Sequence, residues 1–317
     1  MEIPAVASID VCVVGEINPD LILYGVPKEL QPEREALVEG CRLTLGSSSA
    51  IFAHNLATLG TRVGIVSKIG SDSLGKMALG WLTGGGVDVS RVREGDGPVT
   101  TGLTVILVHP KERLILTYPG TMSEMRWEDL DRDYIFSARH LHLSSYFLHT
   151  ALRPKIADLF RQAREKGLTT SLDTNDDPED LWPDDLLDML PLVDILFPNE
   201  REAKRIARTD DLDDAIAKLS QKVGILALKL GQHGAVARKG KSEWRCDPLE
   251  VKVVDTVGAG DSFDAGFIRR YLQGAEVEEC LRYANIAGAY STTREGGTEA
   301  YRDSESKRKF FQEHGVT

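Results

Sequence analysis

A glycine-rich turn followed by an aspartate is the part of the sequence with the clearest capacity for chemistry. Residues 255–268 read DTVGAGDSFDAGFI, in which Asp261 follows three small residues, Gly258, Ala259 and Gly260. Glycine permits a tight turn and a close approach of the backbone to a ligand. The free N–H groups at the start of a helix attract an anion, and the helix macrodipole adds to that attraction. The stretch therefore predicts an anion-binding turn at a helix start.

Asp261 has two alternative roles in such a turn, and the residue types leave both open. As a helix cap, its carboxylate would accept hydrogen bonds from backbone N–H groups of the first turn. As a general base, it would take the proton from an attacking hydroxyl group while the turn holds a transferring phosphoryl group. In the second role, the backbone of residues 258–260 serves as an anion hole.

A second candidate pair is Asn199 and Glu202, which lie three positions apart at an expected helix start. Side chains with this spacing share one face of a helix. They would orient a Mg²⁺ ion, which keeps several of its own waters and takes few protein ligands. The alternative is an acidic first turn that only stabilises the helix. The three histidines at 140, 142 and 149 have no metal-ligand spacing, and we interpret them as structural.

Short apolar runs alternate with amphipathic segments along most of the chain, and these elements must position the candidate residues. The expected strands are 11–15, 63–69, 140–143, 168–173, 195–198 and 225–230. The expected helices are 50–60, 152–167, 200–208, 212–222, 262–272 and 277–293, and the tail after Asp303 is expected to be helical. This alternation predicts a largely parallel sheet with helices on both faces.

Two segments interrupt the alternation. Residues 19–45 contain two strand-like pieces, and residues 98–118 alternate as a hairpin with a turn near 109–112. We expect them to form a small β-sheet that projects from the main domain as a lid over a cleft. The alternative is an ordinary edge extension of the main sheet. We expect residues 1–317 to form a single domain.

Composition and charge exclude several classes of protein. The 317 residues are 42% hydrophobic and 27% charged, which is the balance of a globular protein with a sizeable core. The formal net charge of −11, without a Lys/Arg-rich block, argues against a nucleic-acid partner. No apolar run approaches the roughly 18 residues of a membrane span, and residues 1–10 lack the basic region of a signal peptide. Four scattered cysteines favour a reducing cytoplasm over disulfides or a zinc site.

The string 255–268 resembles the C-terminal signature of the ribokinase-like (PfkB) carbohydrate kinase family. Further segments resemble motifs of that family in the same order along nearly the whole chain: 15–20 (GEINPD), 46–60 (GSSSAIFAHNLATLG), 70–75 (GSDSLG), 198–202 (PNERE), 229–234 (KLGQHG) and 284–297. The resemblance implies a three-layer α/β/α domain with a mostly parallel central sheet and a small β-sheet lid. It also implies transfer of the γ-phosphoryl group of ATP to a hydroxymethyl group of a sugar or sugar-like substrate.

The resemblance implies a role for individual residues. Asp261 is the expected catalytic base, with residues 258–260 as its anion hole. Substrate hydroxyls are expected at Asn18, Asp20, Gly46 and Ser47. The nucleotide is expected along Asn199, Lys229, Gly231, Gly234 and Asn285, although Lys229 has the alternative role of ending a buried strand. Glu202 is expected to act indirectly on Mg²⁺, and Asp255 to lie beside a monovalent cation, K⁺.

Departures from the family pattern leave the substrate open. Ser47 stands where the family usually has a second glycine, and Ile51 where it usually has an asparagine. Ile51 cannot hydrogen-bond to a sugar hydroxyl, so a nucleoside or a sugar acid remains an alternative substrate. A catalytically silent ligand-binding protein is a further alternative. Residues 70–77 nearly form a P-loop, but Met77 replaces the required Ser or Thr. Family members commonly pair through their lids, which implies a homodimer.

Overall fold

The computed structural model describes residues 9–95, 97–109 and 113–316. The strands are β1 (Val11–Val14), β2 (Pro19–Tyr24), β3 (Gly40–Leu45), β4 (Val63–Ile69), β5 (Asp88–Glu94), β6 (Leu103–Val108), β7 (Arg113–Tyr118), β8 (His140–Ser144), β9 (Thr169–Asp173), β10 (Ile195–Leu196), β11 (Ile225–Lys229), β12 (Ala235–Lys239) and β13 (Ser242–Cys246). The α-helices are α1 (Ser48–Thr58), α2 (Ser73–Gly84), α3 (Arg132–Phe136), α4 (Arg153–Glu165), α5 (Asp184–Met189), α6 (Glu200–Ala207), α7 (Leu212–Leu219), α8 (Ala259–Leu272), α9 (Val277–Ser291), α10 (Glu299–Arg302) and α11 (Ser304–Glu313).

The main sheet has the strand order β13-β12-β11-β10-β9-β8-β1-β4-β5. Its strands from β11 to β5 pair in parallel, whereas β12 and β13 form an antiparallel hairpin at the other edge. In β1, Cys12 and Val14 belong to one apolar core, and Val11 and Val13 belong to the other. Because successive side chains of a strand point to opposite faces, the two cores lie on the two faces of the sheet. The predicted three-layer α/β/α architecture is confirmed.

Most predicted elements are confirmed, with shifts of a few residues at their ends. Strand β4 has the predicted bounds, and the tail after Asp303 is helical in α11. The hairpin β12–β13 was not predicted, because its second strand alternates polar residues at the surface and contains no apolar run. Helix α8 was predicted to begin at residue 262, and this is wrong: it begins at Ala259, so that Asp261 lies inside its first turn.

A second sheet, the lid sheet, consists of β3, β2, β6 and β7 in that order. It is built from the two segments that interrupt the alternation, and it is separate from the main sheet rather than an edge extension of it. Ile22 of β2 and Ile106 of β6 pack on Val257, which joins the lid sheet to the segment just before α8. Of the predicted hairpin turn, residues 110–112 lie outside the described residues. That residues 1–317 form one domain stays a prediction.

The sequence predicts neither a membrane span nor a signal peptide. In the described part of the chain, no helix combines the length and the apolarity that a membrane span requires. The expected lack of a signal peptide concerns residues 1–10, of which 1–8 lie outside the described residues. The four cysteines, Cys12, Cys41, Cys246 and Cys280, are all free thiols.

Candidate active site

The glycine-rich turn forms the start of α8. Gly258 precedes the helix in a left-handed conformation with φ of 72°, which glycine adopts without strain. A Cβ atom at this position would collide with the backbone of Gly297. The first N–H groups of a helix have no acceptor within it. The Ala259 N–H donates to Thr256 O at 3.3 Å, which leaves those of Gly260 and Asp261 for an anion. The geometry fits the anion-binding turn that the sequence predicts.

Asp261 lies in the first turn of α8 and remains partly exposed in the cleft. The cap position of the helix belongs to Gly258, and the Asp261 carboxylate makes no capping hydrogen bond. The capping role for Asp261 is therefore wrong. Instead, its Oδ1 atom accepts a hydrogen bond from the hydroxyl group of Ser48 at the start of α1. Burial raises the pKa of Asp261 to about 7, although the Ser48 hydrogen bond opposes this shift.

A buried lysine and two aspartates form a charge cluster beside Asp261. The Nζ atom of Lys229 lies 2.7 Å from Asp173 Oδ2 and 3.4 Å from both carboxylate oxygens of Asp264. Burial alone would lower the pKa of Lys229, but the two carboxylates raise it above its usual range. Lys229 therefore ends β11 as the counter-ion of this cluster. A Cβ atom on Gly260 would lie 3.4 Å from its Nζ, so the ammonium group also lies near the glycine-rich turn.

Asn199 and Glu202 form a capping box at the start of α6. The Asn199 side chain accepts a hydrogen bond of 2.9 Å from the Glu202 backbone N–H, and Glu202 Oε2 accepts one of 2.8 Å from the Asn199 backbone N–H. Glu202 is only 5% exposed, and burial raises its pKa to about 7. The backbone of Asn199 also forms an isolated parallel β-bridge with that of Lys229, which places Asn199 and Glu202 near the charge cluster. The helix-stabilising alternative is present in the structure, and an additional role toward Mg²⁺ stays a prediction.

The predicted substrate residues come together where the lid sheet meets α1. Asn18 Nδ2 donates hydrogen bonds to Pro19 O at 3.0 Å and to Thr104 Oγ1 at 3.2 Å. Asp20 is 5% exposed, and burial raises its pKa to about 7. A Cβ atom on Gly46 would collide with the Asp20 carboxylate, so only glycine permits this approach.

Ser47 and Ile51 show what replaces the usual family residues. Ser47 has φ of 65°, although it is not a glycine, and its hydroxyl group accepts a hydrogen bond of 3.0 Å from Ala50 N. Ile51 is 2% exposed and packs under the glycine-rich turn, where Cβ atoms on Gly258 and Gly297 would lie 3.1 Å and 2.5 Å from its side chain. Ile51 therefore supports the turn by packing, and it offers no polar contact to a ligand.

The remaining nucleotide residues and Asp255 lie in turns. Gly231 and Gly234 have φ of 56° and 81° in the turn between β11 and β12, and Asn285 Nδ2 donates a hydrogen bond of 2.8 Å to Asp247 O. Asp255 Oδ2 accepts hydrogen bonds of 2.9 Å from both the Tyr24 hydroxyl group and the Gly296 N–H. Asp255 thus connects the lid sheet to the loop after α9. The structure does not test its predicted contact with a cation.

The sequence analysis predicts no role for three residues of the site: Glu16, Ser48 and Asp264. Glu16 is 1% exposed at the end of β1, and Asp264 is 1% exposed on α8. A signal existed for each of these two acids. Asp264 lies three positions after Asp261 and so shares its helix face. Glu16 is a charged residue that directly follows an apolar strand. Ser48 gave no signal of its own, because serine is ordinary at a helix start.

Comparisons with known proteins agree with this geometry. The family model described as pfkB family carbohydrate kinase matches residues 8–303. An ATP-dependent ribose-1-phosphate kinase from Halopiger xanaduensis is 32% identical over 292 residues, covering 90% of this chain and 93% of the relative. A 2-dehydro-3-deoxygluconokinase from Bacillus subtilis is 32% identical over 283 residues, covering 84% and 86%. The structure of Arabidopsis thaliana ribokinase complexed with ribose and ATP matches with a TM-score of 0.79 and 25% identity, covering 96% of this chain and 98% of that one.

Proposed function

Because the chain belongs to the pfkB family of carbohydrate kinases, we propose that it transfers the γ-phosphoryl group of ATP to a hydroxymethyl group of a sugar or a sugar acid. The observation that carries this proposal is the carboxylate of Asp261. It lies in the first turn of α8, beside the glycine-rich turn, with one oxygen held by Ser48. The other oxygen remains available for the proton of a substrate hydroxyl group.

The reaction needs a base, a place for the phosphoryl charge and little covalent work by the protein. Asp261 takes the proton as the substrate oxygen forms a bond to the γ-phosphorus. The bond between that phosphorus and the oxygen bridging to the β-phosphate breaks, and ADP leaves. The amide groups of residues 258–260 stabilise the charge that spreads over the transferring phosphoryl oxygens. Lys229 provides further positive charge near the same turn.

The residues present fit a magnesium ion that is held mainly by nucleotide phosphates and water. Within the described residues, no cluster of three or more His, Cys, Asp or Glu side chains is arranged to hold a metal. Glu202 is already engaged in the capping box, so it would act on the ion through water. When bound, the ion would neutralise charge on the phosphates of ATP. We propose K⁺ near Asp255, and activity in K⁺ compared with Na⁺ tests this.

Between these two acceptors, a sugar and a sugar acid, Arg113 favours the sugar acid. Arg113 faces Val108 across β6–β7, on the same face of the lid sheet as Ile106, which packs toward the cleft. Its Nη1 atom lies 3.5 Å from Thr256 Oγ1, and no carboxylate in the described residues forms a salt bridge with it. Its charge also lowers the pKa of Asp20 against the effect of burial. An anionic group on the substrate would find a partner there.

The test of the proposed function is turnover of ATP against a panel of pentoses, hexoses, sugar acids and nucleosides. We expect one acceptor class to support ADP release, and Asp261→Asn to lower kcat by about 10²–10⁴-fold while ATP binding persists. ATP binding by calorimetry is the control for an intact fold. Absence of both ATP binding and turnover would contradict the proposal and favour a catalytically silent protein, whereas ATP binding without turnover would move the question to the acceptor pocket at Ser47 and Ile51.

The proposal also covers the oligomeric state of the enzyme and its cellular compartment. We propose a homodimer formed through the outer face of the lid sheet, where Leu43, Leu114, Leu116 and Tyr118 are 41–59% exposed. Exposed apolar patches of this kind mark interaction surfaces. The four free thiols support a place in the reducing cytoplasm.

A further inference from the structure

The first residues of α1 and α8 meet at a single hydrogen bond. Ser48, the first residue of α1, donates its hydroxyl group to Asp261 Oδ1 in the first turn of α8. The two residues are separated by 213 positions in the sequence. The N-terminal ends of both helices therefore lie beside one carboxylate, and both macrodipoles favour its negative charge.

Glu16 fixes the start of α1 on either side of Ser48. Its carboxylate accepts hydrogen bonds from Ser49 N at 3.2 Å and Ser49 Oγ at 2.7 Å. Its backbone oxygen accepts a hydrogen bond of 2.7 Å from Ser47 Oγ. Because both neighbours of Ser48 are tied to the same residue, the backbone that carries the Ser48 hydroxyl group is held beside Asp261.

Glu16 is itself held firmly and keeps its charge. Ser145 Oγ donates to it at 2.8 Å, and His149 Nε2 lies 3.2 Å from its other oxygen. Burial opposes ionisation, but the interactions with His149 and Ser49 lower the pKa of Glu16 to about 2. A charged, fully hydrogen-bonded residue of this kind is a rigid anchor.

We propose that Ser48 is a positioning residue for Asp261: it holds Oδ1 so that Oδ2 faces the substrate hydroxyl group, and it favours the ionised carboxylate. The inference rests on the proposed role of Asp261 as the base. A base needs a fixed geometry and the correct protonation state, and this one hydroxyl group contributes to both. Oδ1 is already occupied by Ser48, so a substrate proton goes to Oδ2.

The other groups around Asp261 are ionisable, which makes the uncharged Ser48 a clean target. Asp173 at the end of β9, Asp264 on α8 and Glu16 after β1 all oppose ionisation of Asp261, whereas Lys229 at the end of β11 favours it. Removing any of these four would change the number of ionisable groups in the site. Removing the Ser48 hydroxyl group changes only a hydrogen bond, and hydrogen bonds to the charged form of a carboxyl group lower its pKa.

The test compares the pH dependence of kcat/KM for Ser48→Ala, Ser48→Thr and the wild type. Loss of the donor in Ser48→Ala raises the pKa of the base, so we expect the acidic limb to move about one unit toward higher pH. The rate at pH 6 then falls about tenfold relative to the wild type, and part of the loss is recovered at pH 9. Ser48→Thr retains the hydroxyl group and is expected to keep the wild-type limb.

A matched control lies at the other end of the same helix. Thr58 donates its hydroxyl group to Asn55 O at 2.9 Å, so Thr58→Ala removes a hydroxyl group from α1 without affecting Asp261. An unshifted limb in Ser48→Ala would overturn the proposal, and so would an equal shift in Thr58→Ala. Asp261→Asn distinguishes a wrong assignment of the base from a wrong role for Ser48. If it retains wild-type activity, the base itself is wrongly assigned; if it is inactive and the Ser48→Ala limb is unshifted, only the role of Ser48 fails.

Discussion

At the scale of single residues, Ser47 combines an unfavourable backbone conformation with two favourable hydrogen bonds. Its φ of 65° and ψ of 136° lie in a region that suits glycine and costs other residues about 1–3 kcal/mol. Its side chain caps α1 through Ala50 N and also donates to Glu16 O. The serine therefore adopts a strained backbone conformation, and its hydrogen bonds link the start of α1 to Glu16 after β1.

Substitution of Ser47 separates these two contributions. Ser47→Ala loses both hydrogen bonds and keeps the strain, so we expect the free energy of unfolding to fall by about 1–2 kcal/mol. Ser47→Gly also relieves the strain, and we expect its free energy of unfolding to stay within about 1 kcal/mol of the wild type. Urea unfolding of the three proteins measures the difference. If the glycine variant is as unstable as the alanine variant, backbone strain at Ser47 is not significant.

The sequence places Asn18, Asp20 and Gly46 in one substrate site, which stays a prediction, and it gives no sign of site contacts between distant residues. The three residues lie close together in the structure, because the start of β2 pairs with the end of β3. The contact of Ser48 with Asp261 spans 213 positions, and no local pattern records it. Helix periodicity reports which face a side chain occupies but not what lies opposite, and for that reason such partners emerge only in the folded chain.

At the scale of elements, Lys229 joins β11, β9 and α8 by its contacts with Asp173 and Asp264. Its side chain is only 14% exposed, and both aspartates are almost fully buried. Removing one partner from a buried ion pair leaves uncompensated charge, which is more costly than the pair is favourable. The three elements thus depend on a single ammonium group.

Replacement of this ammonium group should destabilise the protein in a pH-dependent way. We expect Lys229→Met to lower the free energy of unfolding by about 3–5 kcal/mol at pH 8. Without the lysine, the two carboxyl groups have a raised pKa in the folded state, so the loss is large at high pH and becomes smaller as pH falls and they protonate. Thermal unfolding of Lys229→Met at pH 5 and pH 8 measures this.

The control for that experiment is Lys222→Met, which changes an exposed lysine before β11 and should leave stability within about 0.5 kcal/mol. An equal loss of stability at both pH values would show that shape, and not charge, dominates at position 229. The comparison therefore tests the cluster as an electrostatic unit.

Elements with a long apolar run were predictable, and elements with mixed surfaces were not. The sequence indicated β4 with its observed bounds, because all its residues but Lys68 are buried. It missed β5 and the β12–β13 hairpin, whose outer strands carry alternating charged residues. A strand at a sheet edge is identified by its pairing, and single-residue hydrophobicity does not report pairing.

At the scale of the whole molecule, the outer face of the lid sheet leaves several large apolar side chains at the surface. Leu114, Leu116 and Tyr118 of β7 are 51–59% exposed and alternate with residues of the inner face. Two copies placed face to face would bury these side chains, as in β-sheet packing between domains. This is the structural support for the proposed homodimer.

Charged substitutions on this face should separate the two subunits. We expect the wild type to have a mass in solution of about twice 34.9 kDa, and Leu114→Glu with Leu116→Glu to have the mass of one chain. Size-exclusion chromatography with light scattering measures both. Leu181→Glu, at a residue that is 68% exposed elsewhere, is the matched control and should stay dimeric. A monomeric wild type would rule out the homodimer.

The position of β1 inside the main sheet bears on how the chain behaves as it leaves the ribosome. β1 pairs with β4 on one side, but its other edge pairs with β8, which begins at His140. Likewise, β2 of the lid sheet pairs with β6, which begins only at Leu103. Two strand edges therefore remain unpaired while the intervening residues are translated, and unpaired edges recruit other chains. These two edges of β1 and β2 gain their partners only when β8 and β6 have been synthesised.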